Sequence, residues 1–249
     1  GVGIAELFVT PPEQETDWVR NPTGHWMGNM MLLIDRVGRY VEPILPRASQ
    51  NMGIDKALKF IRERLNGEEG LGGIFPAMAN ALIAFDALEI PRDDPDVVTA
   101  RKAVDKLLVL KDGMGYCQPC VSPVWDTGLA AHALLESGLD GDDPVLAKSC
   151  QWLVERQILD VKGDWHLNRK KLRPGGWAFQ YENDHYPDVD DTAVVVMALH
   201  RTGNPDYTEA IERGAEWVIG MQGRHGGWGA FDADNEYYWL QNIPFADHG

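Results

Sequence analysis

Two stretches of the chain share a hydrophobic pattern that is typical of buried helices. They are VWDTGLAAHALLESG, residues 124–138, and VDDTAVVVMALHRTG, residues 189–203. The large apolar residues that fill much of each circumference are Leu129, Leu134 and Leu135 in the first stretch and Val195, Met197 and Leu199 in the second. Each stretch ends at a glycine, Gly138 or Gly203, and glycine commonly terminates helices. The pattern predicts two helices that are buried over most of their surface.

These stretches belong to a longer repeat. Trp125 aligns with Asp190 and Trp152 with Trp217, which is an offset of 65 residues in both cases. The segments QWLVERQ and EWVIGMQ carry one apolar stripe with charges, so they predict half-exposed outer helices. A weaker copy, with Leu71 near the expected tryptophan position, lies upstream. Repeated helix pairs build an α-solenoid or, when the ring closes, an α/α toroid, so we expect an all-α chain with negligible sheet.

The composition fits a globular chain with one sizeable core or parts of two. The 249 residues are 44% hydrophobic and 24% charged, and their formal net charge is −15. This charge repels phosphate backbones, so nothing indicates nucleic-acid binding. No apolar run reaches the ~20 residues that a membrane-spanning helix needs. Because the negative charge gives no electrostatic attraction to phosphate groups, any contact with a membrane must be mainly apolar.

Cysteines are few in this sequence. Cys117, Cys120 and Cys150 are an odd and sparse set, which favours a reducing compartment over a disulfide framework and suggests the cytoplasmic side. The CQPC pair, residues 117–120, could be half of a zinc site. Because no second pair or histidine partner stands at ligand spacing, chance is the better interpretation.

Three acids, Asp188, Asp190 and Asp191, crowd the start of the second predicted helix. Acids in the first turn of a helix are favoured by its dipole and can cap free N–H groups, so a structural role is one interpretation. A second is acid chemistry, because neighbouring carboxyls beside apolar surface cannot all ionise cheaply and one tends to keep its proton. Magnesium binding is a third, but we find neither a second ligand cluster nor basic residues for a diphosphate.

Several blocks of the sequence together resemble squalene-hopene cyclases, a family of class II triterpene cyclases. DVDDTA is similar to the acid motif of that family, and the Gln…Gly-x-Trp endings at residues 157–165 and 222–228 resemble its Gln-Trp repeats. SPVWDTGLA, GGIFP, GGWAFQ and IPFADHG also resemble family blocks, in the family order. The resemblance runs over essentially the whole chain. It implies parts of two α/α barrels of the α6-α6 type, with residues 1–121 in a membrane-side barrel and residues 122–249 in the catalytic barrel.

The resemblance also implies a reaction and an acid. In the family the middle aspartate protonates a terminal alkene of squalene, so Asp190 would be the acid, with Asp188 and Asp191 holding its geometry and charge. The products would be hopene and hopanol, and neither a metal nor another cofactor is expected. The basic partner of the acid would lie beyond residue 249. Since the chain starts without an initiator methionine and stops after aromatic-rich sequence, we expect an internal fragment.

Cavity residues follow from the same resemblance. Carbocations are stabilised by aromatic faces, at up to ~2 kcal/mol each when desolvated. The positions that match cavity or wall residues of the family are Trp125, Phe179, Phe231, Ile74 and Pro76, and Phe245 and Ala246 match the entrance constriction. Phe231 departs from members that have tyrosine there. Without the family context, ordinary core packing would explain each aromatic better. Four other tryptophans, Trp152, Trp165, Trp217 and Trp228, are expected to be structural.

The partners expected are squalene or a similar linear polyprene and a membrane surface. The Met- and Leu-rich residues 27–46 would be a core helix by themselves, but they match an apolar plateau that dips into the membrane in the family. We therefore expect a monotopic protein on the cytoplasmic side of the cell membrane. A homodimer is an assembly that the resemblance allows. Two other classes stay open from the residues alone: a zinc-dependent prenyltransferase on a related toroid, and a non-catalytic helical-repeat binding module.

Overall fold

The computed structural model describes residues 23–65 and 71–243, together with residues 11, 14, 20, 21 and 67. The α-helices are α1 (Trp26–Val41), α2 (Arg47–Arg64), α3 (Phe75–Ala87), α4 (Pro95–Lys106), α5 (Pro123–Glu136), α6 (Pro144–Glu155), α7 (Val189–Thr202) and α8 (Thr208–Gly220). Short 3-10 helices lie at Glu42–Ile44, Leu71–Gly73, Asp164–Leu167, Pro205–Tyr207 and Tyr238–Asn242. The all-α fold class is confirmed.

One small hairpin interrupts the helices. Strands β1 (Leu108–Lys111) and β2 (Met114–Cys117) pair antiparallel, with Leu108 opposite Cys117. Asp112 and Gly113 between them both have positive φ angles, 53° and 75°, as a tight two-residue hairpin turn requires. The expectation of negligible sheet therefore holds apart from eight residues that form no part of a core.

The helices follow the predicted repeat. Helices α5 and α6 both begin with a proline, Pro123 and Pro144, and the fixed φ angle of proline suits this first helical position. Helix α7 ends at Gly203, whose φ of 69° is the left-handed conformation that glycine adopts without strain. Helices α6 and α8 end at Glu155 and Gly220, which occupy equivalent positions of the 65-residue unit. Helix α5 packs on α6 and α7, and α7 packs on α8, so each copy is a pair of contacting helices.

The largest hydrophobic core lies among these four helices. Its buried members are Val124, Ala131, Leu146, Cys150, Leu153, Trp177, Val195, Ala198, Leu199, Tyr207 and Ala210. Helix α7 contributes residues three or four positions apart, which places them on one face of a helix. At ~25 cal/mol per Å² of apolar surface, burial of this kind is the main stabilising contribution.

The prediction that α5 and α7 are buried over most of their surface is wrong for part of that surface. Leu129 is 42% exposed and Met197 is 53% exposed. Both side chains line an apolar groove with Val194, Val196 and Ile211 instead of entering the core. The apolar pattern therefore identified both helices correctly. On each helix one apolar face packs in the core, and another lines an open groove.

The predicted structural tryptophans differ in their surroundings. Trp165 and Trp217 are fully buried and contact edge to face, with ring centroids 5.8 Å apart. Trp228 is half exposed, and its indole N–H donates to the Val218 carbonyl at 2.7 Å. Trp152 is partly buried and stands edge to face with Tyr181.

The described residues form two compact units. One is residues 55–235, and the other consists of residues up to 54 and from 236 onward. The division into a membrane-side barrel and a catalytic barrel near residue 121 stays a prediction. Among the described residues, no helix combines the length and the hydrophobicity that crossing a membrane requires.

Candidate active site

The start of α7 carries the three aspartates. Asp188 is the N-cap, and its side chain accepts a hydrogen bond from the Asp191 backbone N–H at 2.8 Å. Its own N–H donates to the Trp177 carbonyl at 3.0 Å, and the Trp177 N–H donates to the Thr192 hydroxyl at 2.9 Å. The capping interpretation is thus right for Asp188, and a buried tryptophan fixes the position of that cap.

Capping does not account for all three carboxyl groups. Carboxylate oxygens of Asp188, Asp190 and Asp191 lie within 4.8 Å of one another. Asp188 and Asp191 are only 3% and 2% exposed, whereas Asp190 is exposed. The Oδ1 atom of Asp191 is buried and has no hydrogen-bond partner among the described residues. The cluster therefore combines two buried acids with one accessible acid.

Burial sets the protonation of the two inner acids. It raises the pKa of Asp188 and that of Asp191 above the usual range of an aspartic acid, and the negative charge of Asp190 raises both further. A hydrogen bond between the two side chains raises the pKa of Asp188 and lowers that of Asp191, so the proton stays on Asp188. The inner pair thus holds a proton at neutral pH, and the cluster carries less negative charge than three free carboxylates would.

A cavity of about 650 Å³ opens beside this cluster. Of the residues predicted for the site, those in its wall are Asp188, Asp190, Asp191, Phe179, Phe231 and Ile74. The aspartates lie at the start of α7. Phe179 lies in the segment before α7, Phe231 in the segment after α8, and Ile74 directly before α3. Residues more than 150 positions apart in the sequence therefore meet at one apolar space that contains acids.

Two predicted positions, Trp125 and Pro76, are not among the residues of this wall. Trp125 lies in the first turn of α5, where Val124 points into the core, and it does not line the cavity. Pro76 is exposed in the first turn of α3, although its neighbour Ile74 lines the cavity. Phe245 and the adjoining Ala246 lie outside the described residues. The roles of these four positions stay predictions.

Sequence reasoning missed several wall residues. They are Phe60, Arg64, Leu71, Ala77, Gln180, Asn183, Tyr186 and Ala230. Gln180 and Ala230 adjoin Phe179 and Phe231 in the quoted blocks, and Tyr186 precedes Asp188 by two positions, so adjacency could have found them. Arg64 gave no such signal, because a charged residue on a helix normally indicates a solvated face.

The same aspartates have the geometry of a possible metal site. Within the described part of the chain, the aspartate cluster is the one group of three His, Cys, Asp or Glu side chains placed to hold a metal ion. Its donor oxygens suit a hard cation such as Mg²⁺. Cys117 is exposed and belongs to no such group. Since the pKa of Asp188 and that of Asp191 are raised, a cation would have to displace a proton from this buried pair.

The arrangement has the parts of a proton-donating site for an apolar substrate. The buried acid pair holds a proton, an exposed acid lines the cavity, and the wall contains aromatic rings, which attract positive charge. The polar side chains of this wall are those of the three aspartates, Arg64, Gln180, Asn183 and Tyr186, and the other wall residues are apolar.

Family models match nearly the entire chain. The squalene-hopene cyclase N-terminal domain matches residues 1–113, and the squalene-hopene cyclase C-terminal domain matches residues 121–249. The aspartate cluster and most of the cavity wall fall in the second match.

Individual proteins agree with these models. The chain is 50% identical to a squalene-hopene cyclase of Bradyrhizobium diazoefficiens and 52% identical to one of Zymomonas mobilis, over its full length. A squalene-hopene cyclase of Schizosaccharomyces japonicus is 47% identical, also over the full chain. The chain spans 38% of the first relative and 39% of the other two. With both domain models matched in order and these identities, the chain belongs to the squalene-hopene cyclase family.

Proposed function

We propose that the protein carrying this chain cyclises squalene to hopene, with hopanol as a second product, by acid-initiated cation chemistry. The observation that carries the proposal is the meeting of the aspartate cluster with an aromatic-walled cavity of about 650 Å³ in a chain of this family. Family membership favours this activity over a zinc-dependent prenyltransferase or a binding module, the two classes that the residues alone left open.

The reaction begins with a proton transfer. Asp190 gives its proton to the terminal carbon of an alkene, whose π electrons form the new C–H bond and leave a tertiary cation on the neighbouring carbon. Each further alkene then attacks the cation and closes a ring. Loss of a proton at the end gives an alkene, and addition of water gives an alcohol. No metal takes part in any of these steps.

Asp190 suits the role of acid by its position. It lines the cavity and is the exposed member of the cluster, so it is the acid most accessible to an alkene, whereas Asp188 and Asp191 are buried. A protonated Asp188 reduces the negative charge of the cluster and makes its carboxyl a hydrogen-bond donor. Because that hydrogen bond goes to Asp191, the effect on Asp190 is one of charge: less negative charge nearby favours the Asp190 carboxylate that remains after transfer, which strengthens the acid.

The cations need stabilisation that does not become a bond. Phe179 and Phe231 line the cavity near the cluster and present aromatic faces. Ile74 contributes apolar wall. Such surfaces attract a carbocation without attacking it, because a ring quadrupole supplies electrostatic attraction while the aromatic system keeps its electrons.

Substrate delivery is proposed to use the surface of α1. Its exposed apolar side chains, with those of the turn that follows, are Trp26, Met30, Leu33, Ile34, Val37, Tyr40, Val41, Ile44 and Leu45. Exposed apolar patches of this extent mark contact surfaces for proteins or lipids. A polyprene is dissolved in the bilayer, so monotopic attachment on the cytoplasmic side through this surface gives access to it. The homodimer stays a prediction.

The test is direct conversion. The full-length protein is incubated with squalene in detergent or vesicles, with and without a metal chelator, and the products are identified by mass spectrometry. The expected result is pentacyclic hopene with a smaller amount of hopanol in both samples. Unchanged squalene, or conversion that a chelator abolishes and a divalent metal restores, would contradict the proposal.

A further inference from the structure

A permanent positive charge stands in the wall of the cavity. The Arg64 side chain, from the last turn of α2, lines the same space as the aspartate cluster and is almost fully buried. An arginine cannot lose its proton at any physiological pH. Beside a cavity proposed to generate carbocations, an uncompensated guanidinium would raise the energy of every cation formed there.

Three side chains hold this guanidinium. Its Nε atom donates to the Tyr186 hydroxyl at 2.8 Å, and its Nη2 atom donates to the Asp164 carboxylate. The guanidinium also lies over the Phe60 ring, 3.4 Å from the centroid. Burial raises the pKa of Tyr186, and its hydrogen bond to Asp164 raises it further, so the hydroxyl stays protonated. Arg64 therefore joins Asp164 and Tyr186 in a triangle of side chains, in which the Asp164 carboxylate, with Glu63 3.8 Å from the guanidinium, balances the positive charge.

The position of Asp164 depends on a close backbone approach. The Asp164 N–H donates to the His185 carbonyl at 3.3 Å. A Cβ atom on the preceding Gly163 would lie 2.0 Å from that carbonyl oxygen, so only glycine fits there. The chain thus places a carboxylate next to Tyr186 through contacts that have no need of substrate.

The triangle fixes a ring that faces the cavity. Tyr186 lines the cavity and stands edge to face with Phe231, at an interplanar angle of 89° and a centroid distance of 6.4 Å. It precedes Asp188, the cap of α7, by two residues. The ring therefore stands close to where the first cation would form.

We propose that Arg64 and Asp164 are positioning residues that clamp the Tyr186 hydroxyl, so that its ring forms a fixed aromatic wall for the early carbocations beside the aspartate cluster. This rests on the proposed function as far as the carbocations are concerned. The clamp itself is a feature of the folded chain and can be measured without substrate.

The first part of the test uses the full-length protein and product analysis. Tyr186→Leu removes the ring, and kcat is expected to fall about tenfold, with partly cyclised products appearing, because one desolvated aromatic contact is lost. Tyr186→Phe keeps the ring but removes the hydroxyl that Arg64 holds, so the fall in kcat and the amount of partly cyclised product are expected to be smaller than for Tyr186→Leu. Asp164→Asn removes the hydrogen-bonded carboxylate and leaves Glu63, 3.8 Å from the guanidinium, as its remaining ion-pair partner among the described residues, so it is expected to lower kcat more than it changes KM.

Tyr181→Leu is the matched control. Tyr181 is 41% exposed and contacts Trp152, away from the aspartate cluster. Its substitution is expected to leave the product profile unchanged. If Tyr186→Leu gave the wild-type product profile and kcat, or if Tyr181→Leu changed both equally, the role of the Tyr186 ring would be overturned.

The second part measures the clamp by melting temperature, without squalene. Asp164→Asn and Tyr186→Phe disrupt the same triangle, so the double variant is expected to lose clearly less than the sum of the two single losses. Additive losses would overturn the clamp. A wild-type protein that left squalene unchanged would instead overturn the proposed function, while non-additive losses in the same samples would still support the clamp.

Discussion

The Asp188 carboxyl combines two tasks in one position. It caps α7 by accepting from the Asp191 N–H, and it holds a proton because it is buried beside other acids. Asp191 is equally buried but lies within the first turn, and Asp190 is the exposed member of the three, all of which line the cavity. The three acids differ in burial because successive residues of a helix point about 100° apart around its axis.

Stability should depend on pH through these buried acids. A carboxyl whose pKa is raised in the folded state binds its proton more tightly there than in the unfolded state, where the pKa is about 3.9. The resulting stability is fully present below the unfolded value and is lost as the pH rises through the folded value. We therefore expect the melting temperature of the protein to fall with rising pH above about pH 4 from this contribution.

Asp188→Asn should flatten that profile, because an amide neither ionises nor stops capping the helix. The measurement is melting temperature against pH for the wild type and this variant, with Asp142→Asn at an exposed loop position as control. Parallel profiles for wild type and Asp188→Asn would contradict the burial of a proton on Asp188.

Part of the site could be predicted from the residues and part could not. Spacing alone indicated that three acids meet at a helix start, and resemblance pointed to Phe179 and Phe231, which line the cavity. Arg64 was not predicted as a site residue, because its burial depends on a contact with Asp164, a hundred positions away in the sequence. Contacts between distant segments leave no local pattern in a sequence, so a buried charge and a solvated one look alike there.

At the scale of the elements, α5 and α7 show what periodicity can establish. Apolar residues around the circumference predicted both helices and their glycine ends. They could not show that Leu129 and Met197 would face an open groove, because the pattern reports apolar surface and not what covers it. The boundaries of the 65-residue unit were predictable since each copy carries its own start and stop signals.

The repeated glutamines offer a prediction about how the helix pairs are joined. The Gln157 amide donates to the carbonyls of Gly175 and Ala210, at 2.8 and 3.0 Å, and so ties α6 to the loop and helix of the next copy. In Gln157→Met the length of the side chain is kept and both carbonyls lose their donor. We expect the free energy of unfolding to fall by about 1–3 kcal/mol.

Gln222 is the equivalent residue of the second copy and serves as the control. It is exposed, and its amide reaches only the Gly226 carbonyl four residues on. Gln222→Met is expected to change stability by no more than about 0.5 kcal/mol. Equal losses at the two positions, measured by denaturant unfolding, would show that the contacts of Gln157 do not join the copies.

The whole molecule is expected to bind membranes through apolar surface and not through charge. The net charge of this chain, −15, opposes docking on anionic lipids, whereas α1 exposes a row of large apolar side chains. Leu33→Glu places a charge in that row, where Leu33 is 60% exposed. We expect this variant to pellet with vesicles much less than the wild type, in low and in high salt.

Gln50→Glu adds the same charge at an exposed position of α2 and should pellet like the wild type. Binding of the wild type that disappears in high salt, together with full binding of Leu33→Glu, would contradict apolar attachment.

The central claim for the whole molecule is that Asp190 supplies the proton that starts cyclisation. The most direct measurement follows product formation and melting temperature on the same samples of the full-length wild type, Asp190→Asn, Asp191→Asn and Asp188→Asn. Asp190→Asn keeps the volume and most hydrogen bonds while removing the acid, so turnover should collapse with little change in melting temperature. Asp191→Asn should also be severe and Asp188→Asn milder, because asparagine is itself a good cap. If Asp190→Asn still cyclised squalene at a near-normal rate, Asp190 would not be the acid, and the three aspartates would be only a charged helix start.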